Sequence, residues 1–303
     1  MISMNTTKRS FIVGDSWLYY KIYTGHKTAD QILTEAIKPL TQQMLDEGVI
    51  NKWFFIRYSD PKPHLRVRLF FENQEALSKI MTAFSKSLLP FSDEDLISKV
   101  QLEDYHRELE RYGHNTIEEA ETLFLHDSQF VVNLLDLIEG PEGEELRWLL
   151  AMRAIDSLLS VFDYELEEKL SFANNIKTSF AREFGMSRFL KKQLDDKYRS
   201  FRKKIDYFLS EGLQNDPELQ PLLQLIKERE SGSMPVAQRL LLMSDELLLQ
   251  NSLNDLLASY IHMFMNRLFR SQNRKYEMVI YDFLHRAYTS RHARSKYQTK
   301  TSR

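Results

Sequence analysis

The stretch Trp53–Phe71, WFFIRYSDPKPHLRVRLFF, restricts the fold of this chain more than any other. It reads as two strands joined by a turn at Asp60, Pro61 and Pro63. Proline fixes φ and pushes the residue before it out of the helical region, so this turn cannot be wound into a helix. The second strand alternates with a period of two: His64, Arg66, Arg68 and Phe70 point one way, Leu65, Val67, Leu69 and Phe71 the other. The polar side is a line of one histidine and two arginines, with Arg57 on the paired strand as a candidate fourth group. Guanidinium forks bind carboxylates and phosphates bidentately, which makes this face a candidate anion site. Judged on alternation alone, a solvated sheet face covered by arginine stems is the commoner outcome.

The segments around the hairpin supply the rest of a small α+β fold. Residues 1–14 read as a mobile arm, and Ser16–Thr24 (SWLYYKIYT) as a first strand. Helical spacing follows over Thr28–Glu47, with Ile32, Leu33, Ala36, Ile37, Leu40, Met44 and Leu45 on one face, Thr28 as N-cap and Gly48 as stop. After the hairpin, Asn73–Leu89 reads as a second helix ended by Pro90, and Ser98–Leu109 as a fourth strand. The order strand, helix, strand, strand, helix, strand is the ferredoxin-like split βαβ arrangement, expected over 15–112. Its helices cover one sheet face, which places Arg66 and Arg68 on the other.

Beyond Gly113 the periodicity changes to helix after helix, including 116–138, 142–163, 187–211 and 252–271. GPEG (140–143), Pro217, Pro221, SGSMP (231–235) and SQNR (271–274) read as the turns between them. The expected organisation is an α+β class chain with a helical part over 113–290 and a basic, disordered tail over 291–303.

Composition removes several functional classes. A net charge of −2 over 303 residues gives no bulk reason to bind nucleic acid, so any anion site is local. Cysteine is absent, which excludes disulfides, thiolate–zinc sites and cysteine nucleophiles and suits a reducing, cytoplasmic setting. No apolar run approaches the roughly 18 residues of a membrane span, and the N-terminus lacks a signal-peptide core. There is no GxxxxGK[ST], GxGxxG, HExxH or GxSxG, and the histidines are not spaced as ligands. No cofactor and no metal is expected.

Two clusters join His64, Arg66 and Arg68. Glu108 and Arg111 lie in YHRELERYGH where the chain leaves the sheet; taken alone, they pair with each other. In SLNDLLASYIHMFMNRLFR a polar stripe of Asp255, Ser259, His262, Asn266 and Arg270 runs against an apolar face. A histidine in such a helix is more often structural than catalytic, although imidazole is well suited to proton transfer near neutral pH.

Taken together, WFFIRYSDPKPHLRVRL, YHRELERYG with AETLFLHDS, and IHMFMNRLF resemble the C-terminal, glutamate-elimination domain of class I lantibiotic dehydratases, also found free-standing as thiopeptide-type bacteriocin biosynthesis proteins. The resemblance runs from about Trp17 to Tyr288. In that family a larger domain or protein uses glutamyl-tRNA to esterify Ser or Thr of a precursor peptide. The elimination domain then removes glutamate, leaving dehydroalanine or dehydrobutyrine. The resemblance implies that Arg66, Arg68, Glu108, Arg111 and His262 are the catalytic residues. It implies a carbon–oxygen lyase whose partners are a glutamylated precursor peptide and a separate glutamylating protein, since 303 residues leave no room for that domain. His114 stands where relatives commonly carry a second glycine, and Phe264 where some are polar. Two other readings stay open: a [4+2] cycloaddition that forms the thiopeptide pyridine on the same fold, and a non-catalytic peptide-binding subunit.

Overall fold

The computed structural model describes residues 7–138 and 140–301, with the backbone alone for 141 and 297–301. It divides into two compact units. One comprises the residues up to Leu137 together with Gln238–Ser271; the other comprises Ile138–Ala237 and the residues from Gln272 onward. The sheet-bearing unit thus extends past 112 and takes in a helix from late in the chain.

In the first unit a short strand β1 (Ser10–Phe11) precedes β2 (Trp17–Thr24). A continuous helical run follows, α1 (His26–Ile32), a π turn (Leu33–Ile37) and α2 (Lys38–Asp46). Then come β3 (Lys52–Tyr58), β4 (His64–Phe70), α3 (Ala76–Asp93), β5 (Ile97–Glu103), β6 (Tyr105–His106) and α4 (Leu109–Tyr112). Strands pair antiparallel in the order β3-β4-β2-β5, the ferredoxin-like order expected, and β1 pairs with β6. From there the chain is helical: α5 (Ile117–Leu137), α6 (Gly140–Val161), α7 (Leu166–Phe184), α8 (Arg188–Phe208), α9 (Gln220–Asp245), α10 (Leu253–Leu268) and α11 (Asn273–Thr301).

The two sheet faces differ as the alternation predicts. Leu18, Ile22, Phe55, Leu65, Val67 and Leu69 are fully buried on one, where Tyr20 stacks on Phe84 of α3 at 4.4 Å. Each such side chain is worth about 1.5–3 kcal/mol when taken from water. The other face carries Tyr19, Lys21, Phe54, Arg66 and Arg68.

The outer edge of β3 would leave backbone groups unpaired. Two helices close it with side chains. Ser128 Oγ of α5 accepts from Phe55 N–H at 3.2 Å. The Asn266 amide of α10 pairs like a peptide unit with Arg57: its Oδ1 accepts from Arg57 N–H at 2.9 Å and its Nδ2 donates to Arg57 O at 3.0 Å.

Several sequence expectations are corrected. Arg57 lies opposite Leu65 in the β3–β4 register and therefore shares the helix-covered face. There its guanidinium donates to Asp30 of α1 at 2.6 Å, so it is not a fourth member of the arginine face. The first helix is capped at Gly25, whose carbonyl accepts from Ala29 N–H, rather than at Thr28. Helix α3 runs through Pro90 to Asp93 because Leu88 and Phe91 on either side are both buried. In the same way α9 runs through SGSMP, where Ser233, Val236 and Ala237 are buried. A missing N–H costs one backbone bond, and burial on both flanks outweighs it. The expected arm contains β1, and residues 1–6 of it lie outside the described residues. Helix α11 continues to Thr301, through most of the stretch expected to be disordered, and 302–303 lie outside the described residues.

The second unit has its own core. Trp148 meets Phe201 and Phe283 edge-on at 5.1 and 6.1 Å. Buried Asp156 accepts from Lys169 Nζ at 3.0 Å and from the Tyr288 hydroxyl at 2.9 Å.

Candidate functional site

All five residues singled out in the sequence, Arg66, Arg68, Glu108, Arg111 and His262, belong to the first unit. Arg66 and Arg68 stand on the face of β4 away from the helices, as the alternation expects. Arg68 faces Tyr19 on β2 and Phe54 on β3; Arg66 faces Lys21 and Ile56.

Arg68 is 8% exposed, and among the described residues it has no acidic partner and no hydrogen bond. Aromatic rings enclose it instead: Tyr19 at 4.3 Å, Tyr105 at 4.8 Å and Phe54 at 5.3 Å from its guanidinium carbon. Ring faces attract a cation but do not satisfy its N–H donors. A buried, permanently charged group with unused donors is costly unless an anion completes it. Arg66 lies 3.5 Å above the Tyr58 ring and donates from Nε to His64 Nε2 at 3.0 Å, again without a carboxylate. The neighbouring acid, Glu103, is engaged by Lys21.

Glu108 and Arg111 are 3.6 Å apart at the start of α4, the mutual pairing expected of them. Arg111 also donates from Nε to Ser259 Oγ of α10 at 3.2 Å. Tyr112, the next residue on α4, stacks parallel to Tyr260 of α10 at 6.0 Å. Burial raises the Tyr112 hydroxyl above its ordinary range, and the charges of Arg111, Glu108, Arg267 and Arg68 all reach it. Gly113 closes this segment with φ +81°, and a Cβ there would come within 2.6 Å of Thr116 Oγ1, so glycine is required.

His262 is half-buried on α10 and shares the polar stripe with Ser259 and Asn266, one helical turn to either side. The stripe is explained member by member. Asp255 N–H is capped by Ser252, Ser259 meets Arg111, Asn266 closes the β3 edge, and Arg270 donates to Asp30 at 2.6 Å. His262 is thus held between one residue bonded to the Glu108–Arg111 pair and another bonded to the sheet.

A cavity of about 680 Å³ beside β1 and α5 is lined by none of these five. Two of its charged groups are engaged: Arg107 is bidentate to Glu121 at 2.7 Å, and Glu119 accepts from Arg239 at 2.7 Å. Arg66 and Arg68, which have no carboxylate partner among the described residues, lie on the sheet face instead. Among the described residues no cluster of three His, Asp or Glu is arranged to hold a metal ion, and no helix is long and apolar enough to cross a membrane.

Sequence reasoning missed the aromatic enclosure, although the signal was present. Trp17, Tyr19, Lys21 and Tyr23 alternate in SWLYYKIYT as the arginines do in HLRVR, and pairing the strands puts both sets on one face.

The sequence pattern of the lantibiotic biosynthesis dehydratase C-terminal family matches residues 17–288. The chain belongs to that family. It is 24% identical over 281 residues to the subtilin biosynthesis protein SpaB of Bacillus subtilis, an alignment covering 92% of this chain and 26% of SpaB. It therefore spans about a quarter of the length of this curated relative. The tRNA-dependent lantibiotic dehydratase MibB of Microbispora superposes with TM-score 0.73 at 20% identity, over 94% of this chain and 29% of MibB. The pyridine synthase TbtD from thiomuracin biosynthesis superposes with TM-score 0.60 at 13% identity, over 91% of this chain and 99% of TbtD. At these identities the superpositions establish a common fold.

Proposed function

We propose that this chain removes glutamate by β-elimination from glutamylated Ser or Thr of a precursor peptide, leaving dehydroalanine or dehydrobutyrine. The reading rests on the family and on one observation above all: Arg68 is a buried guanidinium without an anion, beside a second arginine that also lacks one. Such a pair is suited to a substrate that brings its own carboxylate.

In the proposed reaction a base takes the Cα proton of the esterified residue, and the electron pair forms the Cα=Cβ bond. The Cβ–O bond breaks and glutamate departs as a carboxylate. His262 is the base and becomes imidazolium. Arg66 and Arg68 hold the glutamyl carboxylate or the developing enolate oxygen. Glu108 receives the glutamyl ammonium, and Arg111 orients it. Glutamylation from glutamyl-tRNA is assigned to a separate protein, and the setting to the cytoplasm, where charged tRNA is found.

The [4+2] reading is weaker. Two dehydroalanines bring no glutamate, and the unpaired arginines would then have no anion to receive. The test is a purified peptide carrying a glutamyl ester on one serine, incubated with this chain alone. Loss of the glutamyl mass with formation of dehydroalanine supports the reading. An unchanged ester, with turnover of a bis-dehydroalanine peptide, would favour cycloaddition.

A further inference from the structure

Tyr19 occupies the centre of the arginine face and has no assigned role. It lies directly opposite Arg68 on β2, between β4 and β5, with its ring 4.3 Å from the Arg68 guanidinium. It is 4% exposed, yet its hydroxyl makes no hydrogen bond among the described residues. Nor does it rank among the completely enclosed orphan atoms, a group that includes the hydroxyls of Tyr112 and Tyr260. The Tyr19 hydroxyl therefore opens onto the sheet face.

Three cations act on it, Arg68, Arg66 and Lys21, against one acid, Glu103, which is committed to Lys21. Burial outweighs those cations and holds the phenol above its ordinary range, so it stays protonated at any pH where peptides are processed. A neutral O–H among unpaired guanidinium groups is a donor awaiting an acceptor.

We propose that the Tyr19 hydroxyl is a third donor of this anion site and hydrogen-bonds the carboxylate of the glutamyl group alongside Arg66 and Arg68. The inference rests on the elimination reading for the identity of that carboxylate. The geometry asks for a carboxylate rather than a neutral carbonyl, because two full positive charges face the same space. The phenol contributes direction without a further charge, and the roughly four lone-pair sites of a carboxylate are enough for one fork, a single N–H from the other arginine and one hydroxyl. The contact exists before the reaction begins, so it acts on binding of substrate and product more than on the chemical step.

The experiment uses Tyr19→Phe, which removes one oxygen and keeps the ring that contacts Arg68. KM, kcat and inhibition by free L-glutamate are measured on the glutamylated peptide for wild type and variant. The expected result is a KM about tenfold higher, glutamate inhibition weakened to a similar degree, and kcat within a few-fold of wild type, the size of one hydrogen bond to a charged group. Unchanged KM and glutamate inhibition would remove Tyr19 from the site while leaving the elimination reading standing. If the wild type does not eliminate glutamate, that reading fails on its own, and direct binding then decides the matter for Tyr19. In ¹³Cζ-tyrosine-labelled wild type, the resonance missing from Tyr19→Phe should shift on titration with L-glutamate or glutarate, and no shift with either overturns the proposal. If the variant folds poorly, placing the labelled tyrosine at position 19 alone identifies the same resonance in the wild type.

Discussion

Arg66 Nε donates to His64 Nε2 at 3.0 Å, while His64 Nδ1 is 2.8 Å from the carbonyl of Lys62. The two contacts are compatible in one arrangement only: the ring is neutral, its proton is on Nδ1, and Nε2 accepts. Burial, with the charges of Arg66 and Lys21, pushes the His64 pKa below its ordinary value, against the backbone bond and Asp60, which raise it. Protonating the ring would set donor against donor and release Arg66 from its seat above Tyr58.

This gives a pH prediction with a definite sign. The folded chain binds a proton at His64 less readily than the unfolded chain. Stability from this group is therefore complete above about pH 6.5 and is lost as pH falls through the lowered folded pKa. Thermal unfolding between pH 7.5 and 5 should show a smaller loss in His64→Gln than in wild type. Parallel loss in both would show that His64 does not titrate in this way.

Arg68→Met should separate function from folding. The change removes a buried cation that no acid balances and keeps a flexible apolar chain among the rings, so Tm should move by no more than a few degrees. Elimination should fall by about 10²-fold or more, as expected when a fixed charge is taken from the reacting centre. Full activity in the folded variant would refute the anion site.

His262→Ala should cost about 10²–10⁴-fold in elimination rate, the usual scale for removing a proton-transfer group. Co-expressed with a glutamylating partner, the variant should leave peptide heavier by one glutamyl group per modified residue. A mass spectrum reads this directly, and fully dehydrated peptide would take His262 out of the mechanism.

Asn266→Ala should lower stability by about 1–3 kcal/mol, because an N–H and a C=O of Arg57 lose their partners at a covered strand edge. Asn266→Asp should recover only part of this, since a carboxylate still accepts from the N–H but cannot donate to the carbonyl. Urea unfolding midpoints measure both variants; equal stability for all three proteins would mean the edge is not held by this amide.

The sheet was legible because β-structure writes its facing into a period of two. Leu65, Val67 and Leu69 against Arg66 and Arg68 could hardly be read otherwise, and strand order followed from element order. Arg57 was misplaced because the face of a residue on a paired strand depends on register across the turn, which the sequence does not state. Pro90 and Pro235 were read as helix stops because proline's local cost is visible, while the burial that overrides it arises from distant residues. The three candidate clusters were legible as residue types. Their connection through Ser259 and Tyr112, and the ring of aromatics about Arg68, depends on contacts between segments up to 148 residues apart, as for Arg111 and Ser259.

The amide of Asn266 reaches its strand across 209 residues of chain. During synthesis the hairpin leaves the ribosome long before α10 exists, so the rim of β3 spends that interval without its closing side chain. Nascent chains halted shortly after Leu137 would present an unfinished β-edge, a surface that invites pairing with another copy. The sheet is begun early by the hairpin and finished late by a helix, and the helix that seals the rim also carries His262. In this chain, completing the sheet and installing the histidine are one event.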